Sequence, residues 1–221
     1  MTITDCRTGD IINVAKYDYD DLTGLNRIEH ETVDSFVVET QKMVFGSMSN
    51  FQHVHTELYI GDGLVFSVEP PKPLIRPLNR TGHERYDVYR WKYFEDYMIP
   101  DMARAVNQIV SYDKPYDVGQ LLDTLLCTVM GYPFESIVRP FDFGKHCTVC
   151  SAGVATVFNK IRKVHGVPRM FTVLNRDEWS KDFIAKYEKD GGYWRIERTF
   201  PACFSNTLKF DGEIQCVGWM I

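Results

Sequence analysis

An α+β fold, formed as a single domain over residues 1–221, is predicted by three observations. Short runs of strand character recur through the first hundred residues and again at the C-terminal end. Amphipathic stripes of helical period stand between and after them. No repeat, low-complexity tract or obvious linker divides the chain, and its length is that of one core, at most with an appended subdomain.

GDIINVAK, Gly9 to Lys16, reads as a first strand entered through a glycine. HETVDSFVVETQKMVFG follows, with Val33, Phe36, Val37 and Val44 on one helical stripe. HVHTELYIGDGLVFSVEPP then gives two alternating runs about Gly61-Asp62-Gly63, which is a hairpin signal. PPKPLIRPLNR is rich in proline, so it is extended and suits a sheet edge. YDVYRWKYF is a further strand. Helical period returns after Pro100 with Met102, Val106, Ile109 and Val110, and again in DVGQLLDTLLCTVMGYP, stopped by Gly131 and Pro133. The next helix starts near Cys150, carries Val154, Val157, Phe158 and Ile161, and ends at Gly166 and Pro168. NRDEWSKDFIAKYEKDGG predicts one more helix, and YWRIERTF and EIQCVGW predict late strands.

Composition excludes some functions. Apolar residues make up 44% and charged residues 25% of the chain, which is ordinary for a globular protein. A net charge of −5 and a pI near 5.7 argue against a nonspecific grip on nucleic acid or anionic membrane. The start MTITDCRTGD lacks the basic and apolar parts of a signal peptide, and no apolar run reaches spanning length, so a cytoplasmic protein without stable membrane insertion is expected. Six scattered cysteines in such a chain are expected to be reduced. Cys127, among Leu125, Leu126 and Val129, reads as a small hydrophobe.

Cys147 and Cys150 stand three residues apart just ahead of a helical stripe. A redox pair would directly follow the first strand of a βαβ unit, and this pair comes late. A zinc site is a second reading. His55-Thr56-Glu57 with Cys147 and Cys150 spells most of the nucleobase deaminase signature H-x-E…P-C-x-x-C, in which His and two Cys hold zinc and the Glu moves protons. Here His146 takes the proline's place, and HTELYIGDG has strand rather than helical period. The third reading is a nucleophile: orphan N–H groups and the macrodipole at a helix N-terminus favour a thiolate, and Cys150 is the one in or just before the first turn. The plainest reading makes both cysteines structural.

The hairpin bears on this choice. With Gly61-Asp62-Gly63 as a three-residue loop, Ile60 faces Leu64, paired numbers sum to 124, and His55 lies opposite Glu69. Val54, Leu58, Ile60, Leu64, Phe66 and Val68 then form an apolar face, and His55, Glu57, Tyr59, Ser67 and Glu69 share the other. His53 is the rival to His55 as a base. Tyr116 and Asp117 suit a loop entering a helix.

Four segments in order resemble the circularly permuted branch of the NlpC/P60 papain-like superfamily, the YiiX/YaeF-like proteins. GDII at 9–12 resembles its opening strand. HTELYIGDG at 55–63 resembles its H-x-G-I-Y-I-G-D-G strand and turn, with Glu57 in place of glycine. KPYDVG at 114–119 is similar to its G-x-P-Y-D segment, and VCSAGVATVF at 149–158 to its C-S-E-L-V helix, with Ala152 and Gly153 in place of Glu and Leu. The order, His first and Cys late, is the permuted one. The segment after Met170 has no counterpart. The resemblance implies a papain-like fold, a small antiparallel sheet or barrel packed against helices. It also implies a catalytic triad of Cys150 as nucleophile, His55 as base and Glu69 as orienting acid, with no cofactor and no metal. Expected substrates are peptide, peptidoglycan-fragment or acyl-lipid bonds. The remaining alternative is a non-catalytic part of an assembly, with a virion as one setting.

Overall fold

The strand expected after Gly9 is β1 (Ile11–Ala15), the centre of the sheet rather than its border. A computed structural model describes residues 5–15, 35, 37, 38, 41, 53–69, 72–78, 85–111, 150–168, 199, 201–205 and 214–220. The hairpin is β2 (His53–Gly61) and β3 (Leu64–Glu69), followed by β4 (Lys72–Pro77) and β5 (Arg85–Trp91). A 3-10 turn (Asp96–Met98) leads into α1 (Ile99–Ser111). Then come α2 (Cys150–His165), a short α3 (Pro201–Ser205) and β6 (Ile214–Met220).

The six strands form one antiparallel sheet in the order β4-β3-β2-β1-β5-β6. The proline-rich β4 lies at an edge, where missing N–H donors cost no ladder bond. The mixed α+β class is present, and so is each expected strand and helix of which more than one residue is described. Ser35, Val37, Val38 and Gln41, from the first predicted stripe, are helical. The helices expected over 118–131 and 175–192, Cys127, Cys147, Tyr116 and Asp117 lie outside the described residues. Of the run 193–200 only Thr199 is described, in no element. No helix among the described residues is long and apolar enough to cross a membrane.

The β2–β3 register agrees with the sequence: Leu58 pairs with Phe66 and Tyr59 with Val65. The turn is one residue tighter than expected. Gly61 pairs with Leu64 through a bulge after Tyr59, and Asp62 and Gly63 turn the chain at positive φ (53° and 72°), as a two-residue hairpin turn requires. Both faces of the inner strands are buried, against the expectation of one polar face. Leu58, Phe66 and Val68 join the helices' Met102, Val106, Val154 and Phe158 in one cluster, while Ile12, Tyr59, Val65 and Val88 form another.

α2 packs against β2, β3 and α1, and Gly153 faces Val68 and Phe66 of β3. A Cβ there would stand 2.5 Å from Val68 Cγ2, inside any real carbon–carbon contact. Val68 is fully buried and branched at Cβ, so it has little freedom to yield. Ala at this position should therefore destabilise the fold by about 1–3 kcal/mol, the usual cost of overpacking. Urea denaturation of Gly153→Ala checks this; unchanged stability would mean that the helix is free to move off the sheet.

Candidate active site

Cys150 is the first residue of α2, and its sulfur lies where the β2–β3 ladder opens. The Tyr59 N–H donates to Asp10 O and its C=O accepts from the Gly9 N–H, so its backbone groups turn toward the start of β1. Backbone groups alternate along a strand, so those of Leu58 and Thr56 turn toward β3. Paired positions on that side end at Leu58 and Phe66. The next inward-facing donor, the Thr56 N–H, goes instead to the Cys150 sulfur, and the Ser151 N–H at the helix start donates to it too. A helix N-terminus and an open ladder thus supply two backbone donors to one sulfur. Thr56 is itself fixed by a 2.7 Å bond from its hydroxyl to Asn13 Oδ1, and Asn13 Nδ2 reaches Pro201 O at 2.9 Å. On the other side, the Ser151 hydroxyl donates to Thr199 O.

His55 meets Cys150 side chain to side chain. Its Nε2 lies 2.8 Å from Ser67 Oγ and 3.5 Å from Glu57 Oε1, which leaves Nδ1 to face the sulfur. Burial pushes the thiol up, but the His55 imidazolium, its hydrogen bond and the two backbone donors outweigh this and hold Cys150 below the ordinary thiol range. Burial likewise pushes His55 down. The Cys150 thiolate, then Glu57, reverse this and carry the imidazole well above its ordinary value. Both directions favour a thiolate beside an imidazolium, the form a sulfur nucleophile needs at neutral pH.

The acid behind His55 is not the one the register named. Glu69 pairs with Lys72 on β4 and is part-exposed, and its Oε1 accepts from Arg76 Nε at 3.1 Å. It does not face His55 because the ladder opens before that pair can form. Glu57, two residues along β2, stands on the same face as His55 and is fully buried. Burial pushes the Glu57 carboxyl up; His55, Arg76 and Ser67 together bring it below its ordinary value. At 3.5 Å the Glu57–His55 contact is an ion pair rather than a good hydrogen bond, and Ser67 bridges it. When imidazolium Nε2–H donates to Ser67 Oγ, the hydroxyl proton is left to turn toward the carboxylate.

The structure therefore brings two of the three expected residues together, Cys150 and His55, and replaces Glu69 with Ser67 and Glu57. His53, the rival base, is turned elsewhere: its Nε2 is bonded to Asp87 at 2.8 Å and its ring meets the edge of Tyr89. The zinc deaminase reading needs His55 at the start of a helix. It lies within β2, and its Glu57 is held by Arg76 at 2.5 Å. Cys147, the third ligand that reading requires, is outside the described residues. No family model, no curated protein and no solved structure matches this chain.

Proposed function

We propose that this protein is a cysteine hydrolase of peptide, amide or acyl bonds, acting on a permuted papain-like scaffold. The observation that carries the reading is the contact of His55 with Cys150 at a helix start, in a setting that favours thiolate and imidazolium together. The order of the parts, base on an early hairpin and nucleophile on a late helix, supports the permuted scaffold.

The chemistry follows from those groups. Cys150 sulfur attacks a substrate carbonyl carbon, forming a C–S bond and pushing the π electrons onto oxygen. On collapse, the bond to the leaving group breaks and His55 Nδ1 gives that group its proton, leaving a thioester on Cys150. The neutral imidazole then takes a proton from water, whose oxygen attacks the thioester. Collapse releases the acid and restores thiolate and imidazolium. Ser67 and Glu57 keep the ring in the tautomer and orientation that both proton transfers need. The backbone N–H of Cys150 is a suitable donor to the developing oxyanion.

Intact-mass labelling with a panel of activated acyl esters and amides, from short acyl chains to N-acyl dipeptides, tests this. One acyl adduct is expected, on Cys150, absent from Cys150→Ala and discharged by water. An adduct on another cysteine, or none from any probe, would sink the reading. The probe that labels fastest identifies the substrate class.

A further inference from the structure

Glu57 is buried at the heart of the site, yet Oε1 alone makes its contacts, and Oε2 finds no hydrogen-bond partner among the described residues. Such a carboxylate keeps its charge only beside a fixed cation. His55 is one, but a catalytic imidazole loses its proton in every turnover. The permanent cation is Arg76, reaching in from β4 across β3. Each of its three guanidinium nitrogens donates one hydrogen bond: Nη2 to Glu57 Oε1 at 2.5 Å, Nε to Glu69 Oε1 at 3.1 Å, Nη1 to Pro77 O at 3.1 Å. Glu69, expected to orient the base, instead holds the residue that does so at one remove.

We propose that Arg76 is a positioning residue of the site, anchored by Glu69, that keeps Glu57 ionised throughout the catalytic cycle so that Ser67 and Glu57 hold the His55 ring in one tautomer. This rests on the thiolate–imidazolium reading above and deepens it. Arg76 acts on the base through Glu57, to which it is bonded directly. Among the described residues, the charged groups facing Glu57 are His55 from its own strand and Arg76 from β4, with Glu69 beyond; His53 and Asp87 pair with each other. With Arg76 gone, Glu57 and His55 share one proton, and the imidazolium loses its carboxylate whenever Glu57 takes it. The thiolate then forms only at higher pH.

The test is a pH titration of thiolate absorbance near 240 nm, each protein read against the same protein carrying Cys150→Ala. Wild type should titrate well below the free-thiol value of about 8.5. Arg76→Met should raise the midpoint by about one unit, a tenfold loss of thiolate at pH below both midpoints. Arg76→Lys, which keeps the cation, should restore most of that shift, and Glu57→Gln/Arg76→Met should be no worse than Arg76→Met alone. A wild-type midpoint near 8.5 would remove the hydrolase reading itself. A low wild-type midpoint left unmoved in Arg76→Met would overturn only the role of Arg76, as would additive effects in the double variant. Should Arg76→Met fail to fold, Arg76→Lys and Glu57→Gln still decide: a Lys midpoint as high as that of Glu57→Gln contradicts the proposal.

Discussion

Cys150→Ser and His55→Asn are each expected to abolish turnover of an activated acyl ester, with losses on the order of 10⁴ to 10⁶ in kcat, the range seen when one member of a nucleophile–base pair is removed. Serine keeps the shape of the site and removes the acidity. Its hydroxyl is not ionised beside an imidazole, so the two backbone donors from Thr56 and Ser151 face a neutral oxygen. Asn at position 55 keeps a polar side chain on β2 but can neither hold nor return a proton. Because the two act as one unit, the double variant should be no slower than either single variant. Each variant should keep the fold, since neither change adds volume to the core. Losses that multiply in the double variant would show that Cys150 and His55 act in separate steps or separate sites.

Glu57→Gln and Glu69→Gln separate the two candidates for the acid behind His55. Glu57→Gln should lower kcat by about 10² or more and leave KM nearly unchanged, because the orienting carboxylate acts on the base and not on substrate. Glu69 is part-exposed and touches Arg76 alone of the groups around the site. Its Gln variant keeps an oxygen acceptor for the Arg76 Nε–H, so a loss below about threefold is expected. Steady-state kinetics on the ester that labels Cys150 fastest gives both numbers. The opposite ranking would return the acid's role to Glu69.

The contrast between these two acids also shows how far the sequence could be read. Alternation and the Gly-Asp-Gly turn were enough to fix the β2–β3 register to the residue at Leu58 and Tyr59. Proline content placed β4 at an edge, and the apolar stripe from Val154 put Cys150 at a helix start. Extrapolating the register three residues further failed, because a ladder continues only while both strands keep each other as partners. Cys150, about ninety residues away in sequence, takes the Thr56 N–H that an unbroken ladder would give to β3. Nothing local in HVHTEL announces that.

In HTELYIGDG, Glu57 stands where the pattern this segment resembles has glycine, and nothing in the sequence assigns it a role. One signal was available: Glu57 and Ser67 sum to 124, so they are opposed in the predicted register and flank His55 on one face. Recognising that face as buried would have made a partner for Glu57 obligatory. The sequence placed no covering over it, and Arg76 lies two strands away. Burial of the second face and the placing of β1 between β2 and β5 are tertiary outcomes, set by packing between distant segments.

If His55 makes Cys150 a thiolate at neutral pH, the sulfur's reactivity must carry that signature. The decisive experiment is iodoacetamide alkylation of the native protein, followed cysteine by cysteine by mass spectrometry from pH 4 to 10. Cys150 alone of the six should react with a midpoint well below the free-thiol value of about 8.5, and His55→Asn should return it to the range of the others. A Cys150 profile that rises only near pH 8.5 or above, or one that His55→Asn leaves unchanged, would refute the thiolate–imidazolium pair.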